Sequence, residues 1–173
     1  MRPISKLPSL PKGNAEINFE KEIRAHELLI WKVCRIYACT QADRDDLYQE
    51  IVLQLWNSYE KFRGDSKLST WIYRVALNTA ITGLRKNRNF ITSYEPALLP
   101  AHADETEQGE AERLKELYRA IGQLNEIEKA IVMLYLEDRS YDEMEEILGI
   151  SNGALRVKMN RIKEKLRQLT KNY

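Results

Sequence analysis

The sequence is poor in the residues that bind metals or form disulfide bonds. Its 173 residues include only two cysteines, Cys34 and Cys39, and only two histidines, His26 and His102. A disulfide-built secreted domain needs more cysteines, and a metal site needs more ligands than this set supplies. We therefore expect reduced, buried thiols, no bound metal and no cofactor.

Long hydrophobic runs are also missing. The longest, IVMLYL from Ile131 to Leu136, has six residues, whereas a helix needs about 20 apolar residues to cross a bilayer. The opening stretch, MRPISKLPSLPKG, lacks the apolar core of a signal peptide and contains three prolines. We expect residues 1–14 to be the flexible tail of a cytoplasmic protein that does not insert into a membrane.

Strand signals are scarce, because no segment sustains an alternation of apolar and polar residues. Helical periodicity dominates instead. It predicts three helices in the first half of the chain: Glu20 to Ala38, Asp45 to Phe62, and Lys67 to Arg88.

The segment from Thr92 to Glu112 differs in character, because two prolines and a glycine are scattered among acidic and polar residues. This composition is typical of a linker. Helical periodicity resumes at Arg113, and Asn125 with Glu128 forms a capping-box pattern. The sequence therefore predicts an all-α fold. Two small helical domains, residues 15–91 and 113–173, are joined by a flexible linker at residues 92–112.

The formal net charge of +1 hides a strong segregation of charge. The segment from Glu126 to Glu146 is mostly acidic, whereas the chain from Arg156 onward carries seven lysines and arginines against Glu164 alone. A second basic cluster closes the first domain and consists of Arg85, Lys86 and Arg88. Such local patches favour nucleic-acid binding more than the net charge does.

The segment SYDEMEEILGISNGALRVKMNRIKEKL, Ser140 to Leu166, is typical of a helix-turn-helix. Ser140 with Glu143 forms a second capping box at the start of the first helix. Gly149 suits a left-handed helix end, and Ser151 is placed to cap the second helix.

The second helix of this motif has an apolar seam and an opposite polar, basic face. Because a helix fits the major groove of DNA, we expect three residues to contact base edges: Asn152, Arg156 and Asn160. We expect three others to contact phosphates: Lys158, Arg161 and Lys163. The alternative is a solvated amphipathic helix that closes a bundle.

An acidic cluster comprising Asp43, Asp45, Asp46 and Glu50 begins the helix DRDDLYQEIVLQLW. One interpretation is a metal-dependent enzyme, but no histidine and no second carboxylate helix accompany the cluster. A second is favourable placement of acids at a helix start. A third is an exposed face, with Gln49, that binds a partner protein. We expect no catalytic residues.

The helix containing KLSTWIYRVALN is mostly apolar, with a narrow polar stripe along it. The stripe consists of Thr70, Arg74, Asn78 and Arg85, and Trp71 borders it. Aromatic and basic groups side by side suit single-stranded nucleic acid, whose unstacked bases can be stacked or read. We expect Trp71 to be mainly buried and to support the stripe.

Three segments together, DLYQEIVLQLW, FRGDSKLSTWIYRVALNTA and the helix-turn-helix, resemble a bacterial RNA polymerase sigma factor of the small extracytoplasmic-function (ECF) type. The resemblance covers roughly residues 19–169. It implies a non-enzymatic subunit that directs promoter-specific transcription initiation. The partners would be core RNA polymerase, through its largest-subunit clamp and its flap, and promoter DNA as duplex and melted strand.

The resemblance also assigns residues. Core polymerase would be bound by Asp46, Leu47, Gln49 and Glu50. The minus-ten element and its melted non-template strand would be bound by Arg63, Trp71, Arg74, Asn78, Arg85, Lys86 and Arg88. The helix-turn-helix would read the minus-thirty-five element as duplex.

One position departs from the pattern, since Glu145 replaces the small residue usual where the two helices of the motif approach. It must point outward or bend the packing. An alternative function is a stand-alone helix-turn-helix transcriptional regulator, which would bind duplex DNA without polymerase. ECF proteins are commonly held by an anti-sigma factor, so the resemblance includes such a partner.

Overall fold

The structure is a computed structural model that describes residues 14–86 and 116–171. Every regular element in these two ranges is an α-helix, which confirms the predicted all-α fold. The predicted linker and nearly all of the predicted N-terminal tail lie outside the described residues. The helices, in chain order, are α1 (Asn14–Ala25), α2 (Glu27–Tyr37), α3 (Gln41–Tyr59), α4 (Leu68–Lys86), α5 (described over residues 116–122), α6 (Glu126–Leu136), α7 (Tyr141–Leu148) and α8 (Asn152–Lys171).

The single helix expected from Glu20 to Ala38 is wrong, because the chain breaks at His26 into α1 and α2. The Nδ1 atom of His26 donates to the carbonyl oxygen of Glu22 over 2.8 Å. A regular helix would give that acceptor to the backbone N–H of His26. This N–H instead donates to the carbonyl oxygen of Ile23 over 3.1 Å, which tightens the turn and ends the helix.

The α3 helix begins four residues before the predicted start. Thr40 is its N-cap, and the Thr40 hydroxyl accepts the backbone N–H of Asp43 over 3.1 Å. Arg44 is buried just inside the helix, where its guanidinium donates to the carbonyl oxygens of Ala38 and Cys39. These bonds fasten the turn between α2 and α3.

Helices α2, α3 and α4 pack around one apolar core, and α1 covers its edge. Ile30 and Val33 of α2, Leu55 of α3 and Ile72 of α4 are fully buried there. Burial raises the pKa of the Cys34 thiol to about 12, which keeps it protonated at neutral pH. Cys39 is only half-buried, so the expectation of two buried thiols holds for Cys34 alone.

The second group of helices has the local signals that the sequence predicts. Asn125 with Glu128 and Ser140 with Glu143 both form complete capping boxes, at the starts of α6 and α7. Gly149 ends α7 with φ 67°, a left-handed conformation that glycine adopts without steric cost. Helix α8 packs against both α6 and α7, so the predicted helix-turn-helix is present.

The two helix groups contact each other, because α4 packs against α6 and α7. The Tyr37 hydroxyl donates to the carbonyl oxygen of Glu126 over 2.6 Å. The ammonium of Lys32 lies 2.6 Å from the carboxylate of Glu137. Since these partners are about ninety residues or more apart in sequence, helical periodicity carried no sign of the contact.

Tyr37→Phe tests this junction. The change removes the hydroxyl that donates to the Glu126 carbonyl at a part-buried position, and we expect it to lower the free energy of unfolding by about 1 kcal/mol. Chemical denaturation of the purified chain measures this. Tyr59→Phe is the control, because the Tyr59 hydroxyl makes no hydrogen bond within the described residues. Equal losses in the two variants would contradict the assigned role of the Tyr37 hydroxyl.

Candidate functional site

The polar stripe of α4 is narrower than the sequence predicts. Thr70 is fully buried, which is a correction, because its side chain lies on the side of α4 that faces the protein interior. Arg74 and Asn78 are exposed, one helical turn apart. Trp71 is half-buried beside them, with its ring centroid 5.1 Å from that of Phe62.

The guanidinium of Arg74 is bound within the protein. Its Nε donates to the carbonyl oxygen of Glu146 over 3.0 Å, and its Nη2 donates to the same oxygen. Glu146 lies in α7, the first helix of the helix-turn-helix. A nucleotide can bind these two nitrogens only after their hydrogen bonds to Glu146 have been broken.

The salt bridge between Lys67 and Glu143, 3.3 Å long, joins the start of α4 to α7. The carboxylate of Glu143 also accepts a hydrogen bond from the backbone N–H of Ser140 and lies 3.5 Å from the guanidinium of Arg139. The Ser140 hydrogen bond lowers the pKa of Glu143 below its usual value near 4.5, and the two cations reinforce that shift against a smaller opposing effect of burial. The guanidinium of Arg139 lies 5.2 Å from the ring centroid of Tyr73, which adds a cation–π contact to the junction.

The remaining residues predicted for the minus-ten element lie beside or beyond this surface. Arg63 is exposed in the loop before α4, next to Gly64, whose φ of 77° allows the sharp turn. Arg85 and Lys86 belong to the last turn of α4, but their side chains are outside the described residues. Arg88 lies entirely outside them.

The acidic face of α3 is open to solvent. Asp46, Gln49 and Glu50 are exposed, while Leu47 is half-buried and packs against the core. Glu50 accepts a hydrogen bond from Gln54 over 2.9 Å. No cluster of three metal-ligating side chains occurs in residues 14–86 and 116–171. The face offers carboxylates and amides at helical spacing, which suits a protein partner.

The predicted DNA-contacting residues of α8 lie outside its buried seam. Arg156, Lys158, Asn160 and Arg161 are exposed, whereas Asn152 and Lys163 are half-buried. The ammonium of Lys163 is 3.1 Å from the Tyr135 hydroxyl and lies over its ring. The helix therefore presents donors along one face while Leu155 and Met159 anchor the other.

Glu145 points outward and caps α8. Its carboxylate accepts the backbone N–H of Asn152 over 2.8 Å. The cap expected from the Ser151 side chain is not seen within the described residues. The large side chain is thus accommodated at the close approach of α7 and α8 because it lies on the surface and satisfies a free N–H there.

A chain of contacts fixes the first turn of α8. The Asn152 amide donates to Asp142 over 2.6 Å, and its oxygen accepts Nε of Arg156 over 2.8 Å. The guanidinium of Arg156 lies 4.6 Å from the ring centroid of Tyr141. Both polar atoms of the Asn152 side chain are therefore used inside the protein, which leaves Arg156 as the outward-facing donor.

Sequence reasoning missed Val157, whose side chain is 52% exposed on α8. At 100° per residue it lies about 200° from buried Leu155, near the centre of the face that points away from the protein. Its helical angle was available in the sequence. It was overlooked because only polar residues were sought on that face.

We expect Glu145→Ala to lower the free energy of unfolding by about 1 kcal/mol, because α8 loses the cap of its first turn. Chemical denaturation measures the change. Glu146→Ala is the matched control, since the exposed Glu146 side chain caps no helix within the described residues, and its contact with Arg74 is made by the backbone carbonyl. A loss in Glu146→Ala as large as in Glu145→Ala would refute the cap.

Each half of the chain matches a known protein family. Residues 23–90 match the Sigma-70 region 2 family, and residues 114–166 match the Sigma-70 region 4 family. The ECF RNA polymerase sigma-E factor of Haemophilus influenzae is 31% identical over 135 residues, covering 70% of this chain and 71% of that protein. This chain is an ECF sigma factor.

Other relatives agree over longer stretches of this ECF sigma factor. ECF sigma factor SigM of Mycobacterium tuberculosis is 26% identical over 152 residues, covering 87% of this chain and 76% of that protein. ECF sigma factor SigW of Bacillus subtilis is 23% identical and covers 94% of each chain. The resemblance inferred from the three motifs is confirmed, and with it a role in transcription initiation and DNA binding.

Two solved structures share the fold. The sigma factor RpoE from Bartonella quintana, crystallised with the anti-sigma factor NepR, has a TM-score of 0.70 at 18% identity, covering 89% of this chain and 97% of that one. CnrH in complex with the cytosolic domain of CnrY has a TM-score of 0.64 at 19% identity, covering 91% of this chain and 90% of that one.

Among the described helices of this ECF sigma factor, none is long and apolar enough to span a membrane.

Proposed function

We propose that this ECF sigma factor binds core RNA polymerase through the acidic face of α3, reads an upstream promoter element as duplex with α8, and captures melted non-template strand with α4. The observation that carries the proposal is the form of these three helices. Each buries an apolar seam and presents hydrogen-bonding or charged side chains to solvent. The protein acts as a specificity subunit and performs no chemistry itself.

The polymerase-binding part of the proposal rests on Asp46, Gln49 and Glu50. They are exposed on one stretch of α3, and Leu47 beside them is half-buried. An apolar side chain at the edge of a charged patch is the arrangement that a helical partner buries on docking. The partner surface would be the clamp of the largest subunit, and the second helix group would bind the flap.

Strand capture would use Asn78, Arg74 and Trp71 on α4. An exposed amide can read the edge of an unstacked base, and a guanidinium can hold the adjacent phosphate or stack on a base. Because Nε and Nη2 of Arg74 are bound to the Glu146 carbonyl, strand capture through these atoms would break this contact between the two helix groups. Contacts with polymerase would offset the loss of the junction. Arg63, Arg85, Lys86 and Arg88 would hold the neighbouring backbone.

The division into domains at residues 15–91 and 113–173 is part of the proposal. A linker at residues 92–112 would let each domain bind its own promoter element on the polymerase. Binding of one would then raise the effective concentration of the other. An anti-sigma factor is a further proposed partner, supported by the structural relative RpoE of Bartonella quintana, which was crystallised with one. The protein would act in the cytoplasm, where polymerase is.

Asn78→Ala tests strand capture. The variant should form open complexes with an affinity lower by about 1–3 kcal/mol, the usual value of one base contact, while core binding and duplex binding stay unchanged. Asn57→Ala is the matched control, because Asn57 is exposed on α3. Permanganate footprinting of melted thymines measures the open complex. If core binding falls to the same extent, Asn78 is structural and its proposed role fails.

Asp46→Ala tests the polymerase surface. We expect affinity for core enzyme to fall at least about fivefold, on the order of 1 kcal/mol, because an exposed carboxylate of the docking face is lost. Fluorescence anisotropy of labelled protein titrated with core enzyme measures it. Glu60→Ala, which removes an exposed acid elsewhere in the first helix group, should bind normally.

The stand-alone regulator is the function that these assays must exclude. Such a protein would retain specific promoter fragments by itself, and core enzyme would add nothing. A gel shift with and without core enzyme distinguishes the two. Unchanged core affinity in Asp46→Ala, together with tight duplex binding by the free chain, would overturn the proposed function.

A further inference from the structure

Val157 is an apolar residue at the centre of a polar face. Its side chain is 52% exposed and stands between Arg156 and Lys158, both also exposed. The opposite side of α8 holds the seam of Leu155 and Met159, which are buried. Val157 therefore contributes nothing to the core, and in a helix lying in the major groove it would be the side chain nearest the bases.

Arg156, the residue before Val157, is held in place before any DNA arrives. Asn152 accepts its Nε over 2.8 Å, and Asp142 fixes Asn152 from α7 over 2.6 Å. The ring of Tyr141 supports the guanidinium plane at 4.6 Å. Within the described part of the chain only Nε of this guanidinium is hydrogen-bonded, so its two terminal nitrogens are available as a pair of donors.

We propose that Arg156 and Val157 form a two-residue reading head for adjacent base pairs of the upstream duplex. The Nη1 and Nη2 atoms of Arg156 donate to N7 and O6 of a guanine, and Val157 packs against the C5-methyl group of a neighbouring thymine. Asp142, Asn152 and Tyr141 position the arginine. This inference rests on the proposed duplex-reading function and adds to it the bases that are recognised.

The chemistry of the major groove selects these bases. Guanine presents two acceptors side by side, which match the two donors of a guanidinium end. The thymine methyl is the one apolar group on a base edge in that groove, so Val157 gains free energy only against thymine. The sequence predicted that Asn152 contacts a base edge. Its side-chain amide is instead hydrogen-bonded to Asp142 and Arg156, so we assign it as a positioning residue and not as a base contact.

Uracil substitution isolates the contribution of the methyl group. Holoenzyme assembled from core polymerase and the full chain is first used to select upstream elements from a randomised duplex library. Each thymine of the selected element is then replaced by uracil, which removes the methyl and preserves every hydrogen bond. We expect one position at which uracil weakens binding about fourfold, the factor that corresponds to burying one methyl group.

Val157→Ala should reduce that penalty, because the shorter side chain buries less of the thymine methyl group. Leu136→Ala is the matched control, because Leu136 is 56% exposed in the same helix group but lies on α6, and it should retain the full penalty. If Val157→Ala shows the same uracil penalty as the unchanged protein at every position, the thymine contact does not exist.

Replacement of guanine by 7-deazaguanine tests the arginine in the same way, because it removes only the N7 acceptor. The unchanged protein should lose about tenfold in affinity at one guanine next to the methyl-sensitive thymine. Asn152→Ala should reduce that penalty while leaving affinity for unrelated duplex DNA unchanged, which a purely structural role would not do. A full 7-deazaguanine penalty in Asn152→Ala would overturn the positioning role.

Two outcomes distinguish failure of the proposed duplex-reading function from failure of the reading head alone. If holoenzyme selects no upstream element at all, the proposed duplex-reading function fails and the reading head fails with it. If an element is selected but its thymines and guanines respond identically in all variants, only the reading head is refuted.

Discussion

The structure depends most on the packing of α4, which serves both helix groups. Ile72 lies in the core of the first group, while Tyr73 lies under Arg139 of the second. The same helix presents Asn78 to solvent and Arg74 to the carbonyl oxygen of Glu146. Because Nε and Nη2 of Arg74 cannot donate to that carbonyl and to a nucleic acid at the same time, strand capture through these atoms would remove a contact between the two groups in the proposed function.

Helix α8, the proposed recognition helix, differs from α4, because its outward face is exposed within the described part of the chain while the junction is closed. Arg156, Val157 and Asn160 are exposed, and the first turn of α8 is fixed by Glu145 and Asp142 of α7. In the proposed function, the helix that would read duplex is therefore preorganised, whereas the helix that would capture melted strand would first lose the hydrogen bonds between Arg74 and Glu146. This difference matches an order of events in which duplex is engaged before strand is melted.

Local signals in the sequence predicted most of the fold. The capping box of Ser140 and the left-handed Gly149 depend only on neighbouring residues, and both are confirmed. The break at His26 was not predicted, because it requires a side chain to take a backbone acceptor from the helix. The contact of Arg74 with Glu146 was not predicted either, since it joins residues that are 72 positions apart. The exposed position of Val157 was not predicted, because only polar residues were considered on that face of α8.

In the proposed function, this ECF sigma factor directs core polymerase to start transcription at defined sequences by binding duplex and melted strand together. The direct measurement is sequencing of transcript 5′ ends made by core enzyme on a promoter library, with and without the protein. The proposed function predicts discrete start sites that appear only with the protein and lie at a fixed distance from a shared upstream element. Retention of the library DNA without any new start site would contradict it.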